Sequence, residues 1–206
     1  DPSGRNRKVL EIFVEMGADP SILYDSKPHI GTDKLREVVM NLRNEILRLG
    51  GEIRIDTCVT DFYFSDEQIL AVALADGERI ETDTVVLAIG HSARDTFERL
   101  SELPVKMSQK PFAVGVRIQH PQEMIDQSQY GEDCPYELPA ASYKLAAKAS
   151  DGRGVYSFCM CPGGYVVNAS SEEGHLAVNG MSYHARDGVN ANSAIIVTVT
   201  PEEIEQ

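Results

Sequence analysis

The sequence predicts a mixed fold, with an α/β first half and a mainly antiparallel β second half, so that the whole chain is α+β. Residues Leu35–Leu49 place apolar side chains at helical spacing. Thr84–Ile89 is an apolar run without alternation, typical of a strand buried on both faces, and Gly90 follows it directly. After Lys110, short β-prone runs alternate with Gly, Asn and Ser clusters, which favours hairpins.

The composition indicates a water-soluble globular chain, with 42% hydrophobic and 25% charged residues. A net charge of −13 argues against nucleic acid and anionic membranes as partners and favours a small molecule. No apolar run approaches the ~18 residues of a membrane span, so we expect a cytoplasmic protein. The chain begins at Asp1 without an initiator Met and ends within the helix-start pattern TPEEIEQ, so we expect an internal fragment of a longer protein.

Two helices are predicted near the start of the chain. Lys8–Met16 has an apolar helical stripe, and Gly17 ends it. In the second helix, Thr32 or Asp33 is the expected N-cap ahead of the apolar stripe of Leu35–Leu49.

A small antiparallel β-meander is predicted next. Glu52–Phe64 forms its first strand, and a phase change at Cys58–Thr60 indicates a bulge. Ile69–Leu74 and Arg79–Thr82 follow, each after a short turn.

The buried strand Thr84–Ile89 and a helix over Ala93–Leu100 complete the first half. Gly90 can adopt backbone angles closed to other residues, and Ser92 is the expected cap, with Asp95 as its partner. Ligands of open α/β sheets bind at the carboxyl ends of such strands. This turn is therefore a candidate site for a phosphate or a ribose.

The second half reads as strands joined by turns. Lys110–His120 is predicted as a strand, Pro121–Ile125 as a short helix and Gln127–Pro139 as a loop. Four further β-prone runs follow: Val155–Cys161, Tyr165–Ala169, Leu176–Ser182 and Ala194–Val199.

Six segments in this order resemble one family of flavoproteins. They are PHIGTDKL (28–35), LGGEIRIDTCVTD (49–61), TDTVVLAIGHSARDTF (82–97), KPFAVGVRIQHPQ (110–122), GVYSFCMCPGGYVVNASSE (154–172) and VNGMSYHARDGVNANSAI (178–195). The chain thereby resembles the bacterial FAD-dependent dehydrogenases called NAD(FAD)-utilizing dehydrogenases, which are flavoproteins with two dinucleotide-binding domains.

The resemblance implies FAD as cofactor and a set of backbone contacts to it. Val59 corresponds to the valine that meets the adenine. Ala88, Ile89, Gly90 and His91 correspond to the segment near the ribose and pyrophosphate. No catalytic residue is identified by the resemblance.

It also implies the division of the chain and its role. Residues 1–104 would be part of a Rossmann-like FAD-binding domain, and residues 105–206 a substrate-side domain. The parent protein would be an oxidoreductase that passes a hydride or electrons between a small-molecule substrate and the flavin, with NAD(P)H as a candidate donor. The alternatives are a fragment of a nicotinamide-only dehydrogenase and a non-catalytic α/β binding module.

One departure from the family bears on the isolated chain. The family's GxGxxG fingerprint does not occur in this sequence, and neither does the later glycine-rich segment that holds the ribityl chain and pyrophosphate; together these two segments supply most of the phosphate-binding amides. We therefore expect the chain alone to bind FAD weakly and to be inactive.

The CMCPGG segment holds the remaining candidates. Cys159 and Cys161 are two apart and would face one side of a strand, as a redox pair, as metal ligands or as two buried thiols that shape a wall. We favour the wall and expect no metal site. Gly163 and Gly164 are expected to form a turn that lets backbone approach a flat ligand such as the flavin ring.

Overall fold

The structure is a computed structural model that describes residues 4–204, and its regular elements are α+β. A single 3-10 turn spans Pro20–Leu23. The helices are α1 (Arg5–Glu15), α2 (Thr32–Arg48), α3 (Arg94–Ser101), α4 (Gln122–Tyr130) and α5 (Pro201–Ile204). The strands are β1 (Val59–Ser65), β2 (Gln68–Leu74), β3 (Arg79–Glu81), β4 (Phe112–Pro121), β5 (Ala146–Lys148), β6 (Gly154–Cys161), β7 (Gly164–Asn168), β8 (Val178–Ser182) and β9 (Asn190–Val199).

The described residues form two compact units. Residues 52–109 make the smaller unit, and residues 4–51 together with 110–204 make the larger one. The predicted boundary near residue 104 lies close to the second junction between the units, whereas the first 51 residues group with the second half of the chain. The assignment of 1–104 to an FAD-binding domain and of 105–206 to a substrate-side domain stays a prediction.

The smaller unit contains the predicted β-meander. Its strands pair antiparallel in the order β1-β2-β3. The register shifts between Val59 and Asp61, so the predicted bulge is confirmed. One face of the meander packs Phe62 and Val72 against Leu100 of α3, which forms a small hydrophobic core.

The predicted strand at Thr84–Ile89 is wrong for this structure. The segment has no strand assignment, and Val86 is 84% exposed. A strand buried on both faces needs hydrogen-bonding neighbours, and no strand within residues 4–204 pairs with this run. Apolar composition alone supplies no such partner.

The predicted N-caps are also wrong. Gly31 caps α2 and Ala93 caps α3, and neither end has a side-chain cap hydrogen bond. The Asp33 carboxylate instead accepts the amide of His184, from a distant segment, at 2.9 Å. Ser92 Oγ lies 3.2 Å from Nε2 of the adjacent His91. In each case the side chain that local spacing predicts as a helix cap contacts a different group instead.

The larger unit contains the mainly antiparallel sheet that the sequence predicts. Its four strands run in the order β4-β9-β6-β5, and β7 and β8 form a separate two-stranded sheet. All strand pairs assigned in residues 4–204 are antiparallel. The sequence reading did not predict β5, and it placed 127–130 in a loop although these residues extend α4.

Two further hydrophobic clusters stabilise the larger unit. Ala18, Ile22 and Val38 form the first, where α2 meets the turn after α1. Ile125, Ala141 and Ala191 form the second, between α4 and β9. Among the helices that the structure describes, none has the length and apolar character to cross a bilayer.

Candidate functional site

The main cavity of the larger unit has a volume of about 670 Å³ and is built from four separate segments. They are residues 27–32 with Leu35 at the start of α2, 142–144 before β5, 157–162 at the end of β6, and 180–182 with Arg186 around the end of β8. Its volume is in the range of small-molecule sites, about 300–1,000 Å³. The cavity is therefore the candidate site.

Two hydrogen bonds tie the start of α2 to the end of β8. Thr32 Oγ1 donates to the Ser182 carbonyl at 3.4 Å, and the His184 amide donates to Asp33 Oδ1 at 2.9 Å. These bonds hold the first turn of α2 at the cavity wall. They also explain why Thr32 and Asp33 do not cap their own helix.

A reciprocal pair of histidines joins the same two segments. His29 Nε2 lies 3.0 Å from the Tyr183 carbonyl, and His184 Nδ1 lies 3.0 Å from the Ile30 carbonyl. Because a carbonyl oxygen only accepts, each of these ring nitrogens donates. The two rings stack with centroids 6.5 Å apart and planes within 9°.

His29 lines the cavity as a neutral imidazole. Burial lowers the pKa of His29 below its ordinary value of 6.5, and the hydrogen bond to Tyr183 opposes this shift only in part. With its proton on Nε2, the ring has Nδ1 as a proton acceptor near pH 7.

The charges around the cavity are all of one sign. Lys27, Lys144 and Arg186 line it beside the neutral His29, and no Asp or Glu is among its described lining residues. Lys27 Nζ donates to Ser142 Oγ at 3.4 Å. The chain as a whole has 32 acidic and 19 basic residues, so the charge of the cavity wall is opposite in sign to the net charge of the chain.

Arg186 has an unused donor at this wall. Its Nε is buried and has no hydrogen-bond partner among the residues that the structure describes. No ion pair within residues 4–204 involves Lys27, Lys144 or Arg186. None of these three basic side chains is therefore paired with a carboxylate of the described chain.

Cys159 and Cys161 both line this cavity. A break in the pairing of β6 with β9 lies between Phe158 and Cys161, and Cys159 has a positive φ of 50°, so simple strand alternation does not set their directions. The Cys159 carbonyl accepts from Arg117 Nη1 at 3.2 Å and from Cys161 Sγ at 3.4 Å.

The surroundings of Cys161 favour its neutral thiol. Burial, with a smaller effect from Cys159, raises the pKa of the Cys161 thiol, which disfavours the reactive thiolate. All four cysteines are free. Within residues 4–204, no group of three His, Cys, Asp or Glu side chains could hold a metal ion.

Gly163 lies in the turn between β6 and β7, next to this wall, and Gly164 is the first residue of β7. Both are buried, and the Gly163 amide donates to Gln122 Oε1 at 2.8 Å. A Cβ on Gly163 would overlap the carbonyl oxygen of Arg186. The close approach seen here is thus between two stretches of this chain, and an approach to a flat ligand stays a prediction.

The predicted FAD contacts all belong to the smaller unit. Val59, Ala88, Ile89, Gly90 and His91 are exposed. Gly90 has a φ of 72°, and a Cβ built there would meet nothing within 4 Å. This backbone is open to a ligand, as a phosphate or ribose contact requires. Val59 also lines a small cavity of about 110 Å³ with Asp95 and Arg99.

Sequence reasoning did not single out the basic residues of the main cavity. Lys27 and His29 lie in or beside PHIGTDKL, a segment that the family resemblance includes. Lys144 and Arg186 are far from it in the chain, and only the tertiary fold brings them to the same cavity. No local spacing could have linked them.

Comparison with known proteins gives two findings. Residues 111–206 match the family described as "FAD-dependent protein, C-terminal domain-like". A protein of Clostridium beijerinckii described as uncharacterized is 50% identical over 199 residues, which is 96% of this chain. The chain spans 37% of the length of that relative. The family match supports an FAD-dependent protein family. It agrees with the cofactor that the sequence resemblance implies and does not address the dehydrogenase activity.

Proposed function

We propose that this chain is part of an FAD-dependent oxidoreductase. The observation that supports it most directly is the match of residues 111–206 to an FAD-dependent protein domain. Three of the four segments around the main cavity lie within that matched region. The cavity is accordingly proposed as the substrate site, and NAD(P)H is proposed as the electron donor on the sequence resemblance to NAD(FAD)-utilizing dehydrogenases alone.

The smaller unit has features that suit a place beside the cofactor. Gly90 presents open backbone at a positive φ, and Val86 and Ile89 near it are exposed apolar residues. The five predicted FAD contacts follow from the resemblance, with Val59 at the adenine.

The residues of this chain have a supporting part in the chemistry. FAD, when bound, supplies the acceptance and return of a hydride or electron pair. The cavity walls bind and orient the substrate and exclude water. Neutral His29 offers Nδ1 as the atom that takes a substrate proton, while its Nε2 stays bound to the Tyr183 carbonyl.

The test is anaerobic reduction of the full-length protein after reconstitution with FAD. Addition of NADH or NADPH should bleach the visible absorption of the oxidised flavin, and air should restore it. A protein that retains flavin but is reduced only by dithionite would contradict the NAD(P)H donor. A protein that takes up no flavin would contradict the whole proposal and favour the non-catalytic binding module.

A further inference from the structure

We infer that the main cavity binds an organic oxyanion, a small molecule with an apolar body and one carboxylate or phosphate group. That this anion is the substrate rests on the proposed function. That the cavity binds an anion rests only on its own residues.

The first argument is the charge of the wall. Three permanently basic side chains, Lys27, Lys144 and Arg186, line the cavity together with His29. No carboxylate lines it in the described chain, although acidic residues outnumber basic ones by 32 to 19. Basic side chains that line one cavity repel one another, and an anion between them reduces that repulsion.

The second argument is the unused donor on Arg186. Its Nε is buried without a partner among residues 4–204, which is costly for a charged group unless a ligand accepts from it. A guanidinium fork matches the two oxygens of a carboxylate or a phosphate. Arg186 is therefore the expected anchor, with Lys27 and Lys144 as supporting point charges.

The start of α2 adds to these side chains. Gly31 and Thr32 line the cavity, and no side chain caps this end of a 17-residue helix. The first amides of the helix, with the positive end of its dipole, favour a negative group nearby. This contribution reinforces the basic side chains and would not define a site without them.

The remaining wall determines the rest of the ligand. Ile30, Leu35, Phe158 and Met160 place apolar surface around the same cavity. A volume of about 670 Å³ is large for an inorganic ion and suits an organic molecule. The ligand thus combines an apolar body with its oxyanion.

The test uses calorimetric titration of the full-length protein with three probes that share a phenyl ring. Benzoate and phenyl phosphate have the oxyanion, and benzamide is the uncharged match for benzoate. We expect benzoate or phenyl phosphate to bind, and the tighter of the two identifies the oxyanion. Benzamide should bind at least about tenfold more weakly than the tighter anion. Equal binding of benzamide and the anions, or binding of none of the three, would overturn the inference.

Variants locate the binding. Arg186→Met should weaken anion binding about tenfold or more, and Lys144→Gln, a milder change if the arginine variant folds poorly, should weaken it severalfold. Lys148→Gln removes an exposed charge on β5 outside the cavity and should leave the affinity unchanged. Unchanged affinity in both cavity variants, or an equal loss in the Lys148 control, would overturn the assignment.

The two proposals fail in different ways. Flavin uptake without oxyanion binding would overturn this inference and leave the proposed function standing. Oxyanion binding that depends on Arg186 in a protein without flavin would support the anion site while overturning its role as the substrate site of a flavoprotein.

Discussion

Gly90 and Gly163 are both glycines with positive φ, yet they differ in what surrounds them. Gly90 is exposed with open space around its Cβ position, whereas Gly163 is buried against the Arg186 carbonyl. The first suits a contact with something outside this chain, and the second is required by the fold. The contrast allows ligand effects and folding effects to be separated by mutation.

Gly90→Val should remove most of the FAD from the full-length protein, because a side chain would displace the ribose or phosphate. Gly77→Val is the matched control, since Gly77 also has a positive φ and nothing within 4 Å of its Cβ position. Each variant should lose about 1–2 kcal/mol of unfolding free energy from backbone strain. FAD content by acid release should fall only in the Gly90 variant, and equal FAD content in both would refute the cofactor contact.

His29 should make the stability of the protein fall in mild acid. Its pKa is lowered in the folded state mainly by burial, so the unfolded state takes up the proton first. The unfolding free energy should be steady above the ordinary pKa of 6.5 and decrease as the pH falls below it. Arg186 and His184 oppose the charged form of His29, and Asp33 favours it.

The control is His29→Gln, whose amide can still donate to the Tyr183 carbonyl. Denaturant titrations of both proteins between about pH 7.5 and about pH 5 span the ordinary pKa of 6.5 and would measure the difference. The variant should have a shallower pH dependence than the wild type. Identical slopes would show that His29 does not titrate as described.

At the scale of elements, the sequence predicted what is local. Helices α1 and α2, the meander β1–β3 and its bulge follow from apolar spacing and short turns, which need only neighbouring residues. The strand at Thr84–Ile89 failed because a strand needs a partner. The cap at Thr32 failed because a tertiary contact to Ser182 took over its side chain, and the cap at Ser92 failed where the side chain lies against the adjacent His91. Among the site residues, Cys159 and Cys161 were singled out by a local motif, whereas Lys144 and Arg186 required the fold.

The turn between β6 and β7 should tolerate no side chain at Gly163. A Cβ there overlaps the Arg186 carbonyl, which is backbone and cannot rotate away, and φ is positive. Gly163→Ala should cost about 2–4 kcal/mol of unfolding free energy. Gly152→Ala, at a positive φ with open space, should cost about 1–2 kcal/mol. Denaturant unfolding distinguishes them, and equal losses would mean that the Gly163 turn is not packed as described.

At the scale of the whole molecule, the charge is strongly acidic while the main cavity is basic. A net charge of −13 disfavours anions at the general surface, and the cavity concentrates basic side chains where an anion can enter. Composition alone therefore gives the net charge of the chain and no sign of the basic cavity. The fold creates the local reversal.

The 206-residue chain by itself should bind FAD weakly, because its sequence has no GxGxxG loop to hold the pyrophosphate. Titration of FAD fluorescence with the isolated chain would measure this. Tight stoichiometric binding would show that the loops are dispensable and that the chain holds a complete FAD site.

The central claim is that this chain belongs to an FAD-dependent protein, and the FAD content of the full-length protein tests it most directly. The protein would be purified, reconstituted with excess FAD, freed of unbound cofactor and denatured, and the released flavin identified by mass spectrometry and quantified against protein. The account predicts stoichiometric FAD. A folded protein that retains none after reconstitution would contradict it.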